Sequence, residues 1–163
     1  MKERKSTPES EIQAQTIEVG LRRVMRFPDT PLRIFSLVNG NYLYADQITG
    51  DIKITRADSP PLISLWRVTA HRDYDYIQAA VEREEYWTAV GERRVNVDRY
   101  VQGDKEQEWI VADAGGGAVT IVMYKENRYK FVTVDPSGAE GSAVYLENAE
   151  SPTRPNQKFI LGF

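Results

Sequence analysis

A single histidine, His71 in the polar stretch "TAHRDYDY", is the only imidazole with which this chain could move a proton near neutral pH. A serine nucleophile would need it as general base, but no nucleophile motif accompanies it, so His71 is expected at the surface. Paired carboxylates are the other route to acid–base work. Glu84 and Glu85, adjacent in sequence, are expected to point apart along a strand, and Asp73 and Asp75 fall in the polar connection between repeats. The "AGGGA" at 114–118 has neither the GK[ST] ending of a phosphate loop nor the spacing of a dinucleotide fingerprint, and it reads as a turn. With no cysteine and one histidine, thiolate and histidine zinc sites are excluded, and the carboxylates lack the spacing of a calcium loop. The chain is therefore expected to be a binding protein rather than an enzyme, with no cofactor and no metal.

Charge narrows the partners. Residues 1–33 hold seven Lys/Arg and five Asp/Glu, a local +2, which leaves −5 of the formal −3 to the rest. An acidic body does not suit a nucleic-acid platform, which draws on clustered Lys/Arg. The cluster Arg22, Arg23, Arg26 is the local exception and reads as a solvated face. The N-terminal "MKERKSTPESEIQAQ" lacks an apolar signal core, no run reaches the roughly 20 apolar residues of a membrane span, and cysteine is absent, so a soluble, cytoplasmic protein is expected.

The elements that must position any binding residues show themselves as a repeat. From Ile52 to Trp66 is 14 residues, from Val95 to Trp109 is 14, and from Val144 to Phe159 is 15. Three blocks, about 32–72, 73–115 and 116–163, each carry four short apolar runs separated by turn signals such as "VNGN", "ITGD", "VGER", "YKEN" and "DPSG". Alternation at Ile52 and Ile54, and at Val95 and Val97, puts those side chains on one buried face. Twelve strands in three blocks are too few for a propeller and fit an all-β, pseudo-threefold β-trefoil over 32–163. Trp66, Trp109 and Phe159 each open the last strand of a block and should converge on the core. Residues 1–31 stand apart as an N-terminal extension, with a helix expected over 9–18, no contribution to the trefoil over 1–28, and a role in self-association.

The closing motifs carry a resemblance. Gln107-Glu108-Trp109 and Asn156-Gln157-Lys158-Phe159 resemble the Gln-x-Trp signature of ricin B-type lectin repeats, while the first block has Ser64 where the glutamine would stand. Fungal β-trefoil lectins and mycocypin-type protease inhibitors share this build. The resemblance implies a sugar held by Asp135, Tyr145, Glu147 and Asn156, with Gln157 in support, and a second candidate site at Asp46, Lys53 and Thr55. A carboxylate takes hydrogen bonds from neighbouring sugar hydroxyls, and an amide both donates and accepts. Glu147 stands where the family stacks the sugar on an aromatic ring, and the second block has Val90 and Gly91 at the aspartate position, so weak binding of a glycan or glycoprotein through the third repeat is expected. Two alternatives stand beside it. The proline-stiffened loops "DSPPLIS" (58–64) and "AESPTRPN" (149–156) suit a protease inhibitor, and a fascin-like interaction module needs no pocket at all.

Overall fold

The computed structural model describes residues 22–24, 26–56, 63–80, 85–149 and 153–162. The helix expected over 9–18 lies outside them. A two-residue strand, β1 (Arg22–Arg23), comes first. The first repeat follows as β2 (Arg33–Ser36), β3 (Tyr42–Ala45), β4 (Ile52–Thr55) and β5 (Trp66–His71). The second is β6 (Tyr74–Ala79), β7 (Glu85–Val90), β8 (Arg94–Arg99) and β9 (Trp109–Gly115), and the third is β10 (Ala118–Lys125), β11 (Arg128–Thr133), β12 (Tyr145–Asn148) and β13 (Phe159–Gly162).

Six of these strands make a closed barrel. Antiparallel pairs β5–β6, β9–β10 and β13–β2 join consecutive repeats, while β6–β9, β10–β13 and the bridge Leu32↔Trp66 tie the first and last strands of each repeat. Six others form three hairpins, β3–β4, β7–β8 and β11–β12, that cap one end. Bridges Asp51↔Asn96, Tyr145↔Arg94 and Lys53↔Ala143 knit the hairpins to one another around the pseudo-axis. This is a β-trefoil. Closure removes the free sheet edges that would otherwise invite pairing with another chain.

Register follows from side-chain alternation. Leu43↔Ile54, Trp87↔Val97 and Val132↔Leu146 occupy the same place in the three hairpins, and all but the partly buried Val97 are buried there. The β10–β11 turn shows how local chemistry serves this register: Glu126 and Asn127 both take positive φ, as a two-residue turn matched to strand twist requires. Trp66, Trp109 and Phe159 are fully buried in the principal core, as their position predicts. The indole N–H groups of Trp66 and Trp109 donate to Leu43 O (3.1 Å) and Trp87 O (2.9 Å), which locks each closing strand to its own hairpin.

The described part of the N-terminal segment packs against the trefoil. β1 pairs with β9 (Arg22↔Asp113, Arg23↔Ala112), Val24 N donates to Val111 O at 2.8 Å, and Val24 and Phe27 pack on the core. Arg23 reaches in to the fully buried Asp75 (Nη2 to Oδ1, 2.9 Å) and donates to the carbonyls of Arg72 and Tyr74. The expectation that no repeat needs residues 1–28 is set against these contacts of Arg23, which a reading of the arginine cluster as a solvated face passes over.

Candidate functional site

The register aligns the three repeats position by position. Asp46, Val90 and Asp135 each lie three residues beyond Leu43, Trp87 and Val132, at or just past the end of the second strand of a repeat. On the third strand, Lys53, Asn96 and Tyr145 share one position, and Thr55, Asp98 and Glu147 share the next outward one.

In the third repeat the residues converge. Val134 N donates to Asn156 O (3.0 Å) and Asn156 Nδ2 to Val134 O (3.1 Å), so this asparagine sits beside Asp135. Gln157 is buried and bridges: Nε2 donates to Thr133 Oγ1 (3.3 Å) and Glu147 Oε2 (3.4 Å), while Oε1 accepts from Arg154 N (3.2 Å). Arg154 also pairs with Glu147, and the Arg93 guanidinium lies 4.9 Å above the Tyr145 ring. Asp135, half-buried, accepts the backbone N–H of Ser137 at 2.9 Å, and that bond holds its carboxyl below the usual range. The amides of Asn156 and Gln157 are thus spent on the fold. Asp135, Tyr145 and Glu147 are the members that keep solvent-facing surface.

The glutamine position has the same use in the second repeat. Gln107 Nε2 donates to Thr88 Oγ1 (3.1 Å) and Arg99 O (2.8 Å), and its Oε1 accepts from Val101 N (3.0 Å). Thr88 and Thr133 are equivalent, so both closing glutamines clamp their 3-10 turn, Lys105–Gln107 or Pro155–Gln157, to the first strand of their own hairpin. Tyr44 replaces that threonine in the first repeat, where Ser64 replaces the glutamine.

The second candidate set divides. Asp46 accepts from Lys53 Nζ (2.8 Å), Ile48 N (2.8 Å) and Thr49 N (3.1 Å), and these bonds, Lys53 first, hold its carboxyl at about 2. Lys53 is raised in turn by its bond to Asp46. Thr55 lies apart from this pair, lining a separate cleft. The depressed Asp46 value favours the folded state above the ordinary carboxylate pKa, a contribution lost as pH falls through about 2. An NMR titration is expected to show Asp46 titrating well below the ordinary aspartate value. Lys53→Ala should return it toward 3.8, and an unmoved value would mean the backbone N–H bonds alone set it.

Two features escape a residue-by-residue search of the sequence. The rings of Tyr76, Tyr86 and Tyr100, from β6, β7 and the residue after β8, meet with centroids 5.0–6.0 Å apart, and His71 adds a fourth ring 5.7 Å from Tyr76. Glu108 lies partly buried nearby, its carboxyl pushed up by burial. The second feature is the cleft of about 600 Å³ on the first repeat that contains Thr55. The tyrosines recur at no fixed sequence interval, and only the register brings them together. Among the described residues no group of His, Asp and Glu is set to hold a metal ion, and no helix is long and apolar enough to cross a membrane.

No protein-family model matches the chain, and no curated protein matches its sequence. Solved structures do. The designed threefold-symmetric protein ThreeFoil superposes with a TM-score of 0.68 at 15% identity, covering 82% of this chain and 98% of that one. The likeness is one of fold. A proteinase inhibitor from Coprinopsis cinerea gives 0.64 at 14% identity over 84% of this chain and 99% of its own. A GlcNAcα1-4Gal-releasing endo-β-galactosidase from Clostridium perfringens gives 0.65 at 14% over 81% of this chain, but only 32% of the enzyme. At such identities the shared barrel and caps are established and the ricin B lectin family is not.

Proposed function

We propose that this protein is a carbohydrate-binding β-trefoil whose third repeat offers a weak, single sugar site, and that it acts by binding rather than catalysis. The observation that supports this is the convergence of Asp135, Glu147 and Asn156 from three separate segments at one hairpin edge. Asp135 is the member with capacity to accept sugar hydroxyls, Tyr145 offers a ring edge, and Asn156 and Gln157 fix the loop that carries them. Among the described residues no open aromatic face stands behind the sugar, since Glu147 occupies that position and Arg93 covers Tyr145. Affinity is accordingly expected between about millimolar and high micromolar, roughly 4–6 kcal/mol.

Asp135→Ala removes a charge-assisted acceptor, worth about 1.5–3 kcal/mol to a bound hydroxyl pair, or tenfold or more in affinity. Stability should hardly change, because the group is partly exposed and makes a local turn bond. Titration of wild type and variant with galactosides and N-acetylated sugars checks both points. Equal binding by the two proteins removes Asp135 from the site, and no binding by the wild type across a broad glycan array removes the sugar reading.

A second reading has its own observation. The Tyr76–Tyr86–Tyr100 cluster, with Tyr100 41% and Val101 54% exposed, presents aromatic surface of the kind enriched at protein interfaces, which suits an interaction module. The inhibitor alternative draws on the likeness to the Coprinopsis proteinase inhibitor. Its first loop lies mostly, and its second partly, outside the described residues.

A further inference from the structure

We propose that the cleft on the first repeat binds an oxyanion, with Arg33 and Asn39 as donors and the Phe35–Tyr42 pair as the wall behind the group that carries it. Two buried donors point to this chemistry. Arg33 and Asn39 both line the cleft, and within these half-buried side chains Arg33 Nε and Asn39 Nδ2 are shielded from solvent with no acceptor among the described residues. Buried N–H groups without acceptors are unfavourable and uncommon, and a ligand oxygen is a direct way to meet them.

The neighbours hold the cleft in shape. Asn41 Nδ2 donates to Gly138 O (3.1 Å) and its Oδ1 accepts Arg56 Nε (3.1 Å), while Asn39 Oδ1 accepts Asn41 N (3.0 Å), which leaves the Asn39 amide nitrogen as the spare group. Arg33 stacks on Tyr42, its guanidinium carbon 5.3 Å from the ring centroid, and Tyr42 meets Phe35 edge-on at 6.2 Å. Phe35 is pinned from behind: a Cβ on Gly162 would stand 2.5 Å from its ring, so only glycine permits this approach. The acid at the rim is already engaged, because Glu140 Oε1 accepts Arg56 N at 2.9 Å and also takes a bond from Thr55, which together keep it ionised. Among the described residues, two arginines stand against that one carboxylate, which leaves their balance positive.

The arrangement is not a property of the fold. At the Arg33 position the other repeats carry Tyr76 and Thr120, and at the Arg56 position Arg99 and Asn148, so only the first repeat sets two guanidinium groups around one cleft. A guanidinium fork suits carboxylate or sulfate. The aromatic wall and the volume favour such a group carried on a ring, as in an acidic monosaccharide, over a bare ion.

Full-length protein titrated by NMR with sodium sulfate, D-glucuronate and D-glucose tests this. Glucuronate, and more weakly sulfate, should saturably shift the Arg33 Nε–H and Asn39 side-chain signals, whereas glucose should not. Arg33→Gln and Asn39→Ala should each weaken glucuronate binding about tenfold or more, with Arg33→Lys intermediate and Asp135→Ala without effect. A wild type silent to both anions overturns the proposal, as do variants that bind glucuronate like wild type or glucose binding equal to glucuronate. Sulfate bound as tightly as glucuronate removes the ring-carried source and keeps the oxyanion site. Thermal melts of each variant show whether it is folded, and agreement between the two independent substitutions guards against a misfolded one.

Discussion

Arg23→Ala is expected to destabilise the protein by about 3–5 kcal/mol, the usual effect of removing one partner from a buried ion pair. Asp75 is 0% exposed and Arg23 12% exposed. The carboxylate has two supports: Arg23, and the Val111 N–H at 2.8 Å. Burial pushes the Asp75 pKa up, and these two groups pull it back only in part. Without Arg23 the folded value rises further. A carboxylate whose folded pKa exceeds its unfolded one binds its proton more tightly in the native state, so stability falls as pH rises through the interval between the two. The penalty of Arg23→Ala should therefore be largest near neutral pH and shrink in mild acid, once Asp75 is protonated in the variant. Urea unfolding at both conditions measures it. Asp75→Asn added to Arg23→Ala should recover much of the loss at neutral pH, since the amide oxygen still accepts from Val111 and no charge is stranded. A penalty below about 1 kcal/mol that ignores pH would mean the clasp contributes little. Deletion of residues 1–28 removes the same arginine and is expected to behave like the single variant or worse.

That clasp also marks where sequence reasoning stopped. The three intervals from Ile52, Val95 and Val144 to the closing aromatics lie within a repeat and span the connection from its third strand to its closing one, so the trefoil could be derived from them. Arg23 and Asp75 are 52 residues apart and belong to no repeat. Asp75 stands in the string "HRDYDY", where Asp73 occupies the β5–β6 turn and Asp75 the inward face of β6, a difference that polarity alone does not show. Nothing but the depth of the barrel strand tells a solvated aspartate from a buried one.

The candidate sites divide on the same physical line. Asp135 and Asn156 could be placed beside each other because the closing motif fixes their distance from the hairpin. How many hydrogen bonds each already spends internally is a property of packed side chains, and Gln157 and Asn156 prove largely committed. Arg33, Phe35, Asn39 and Arg56 read in sequence as strand and turn residues. They become a cleft only when β13 closes on β2 and the 135–142 segment of the third repeat folds over the first.

The core contains a similar omission, and it sets the second large effect. Trp66 and Trp109 were legible as block-closing aromatics, whereas Trp87, in the second strand of its repeat, was not; yet it stands between them, with centroids 5.4 Å from Trp66 and 5.9 Å from Trp109, both nearly perpendicular. Trp87→Ala should cost about 3–5 kcal/mol, through lost burial, an axial cavity and two lost edge contacts. The phenylalanine substitutions separate packing from hydrogen bonding. Trp109 donates its indole N–H to Trp87 O at 2.9 Å, while the buried Trp87 Nε1 has no acceptor among the described residues. Trp109→Phe therefore strands the Trp87 carbonyl as well as shrinking the ring, whereas Trp87→Phe discards an unmet donor. Both residues are 0% exposed, so burial alone predicts similar losses. Urea unfolding should instead find Trp87→Phe the milder by about 1 kcal/mol or more, and the reverse order would show that Trp87 Nε1 has an acceptor in solution.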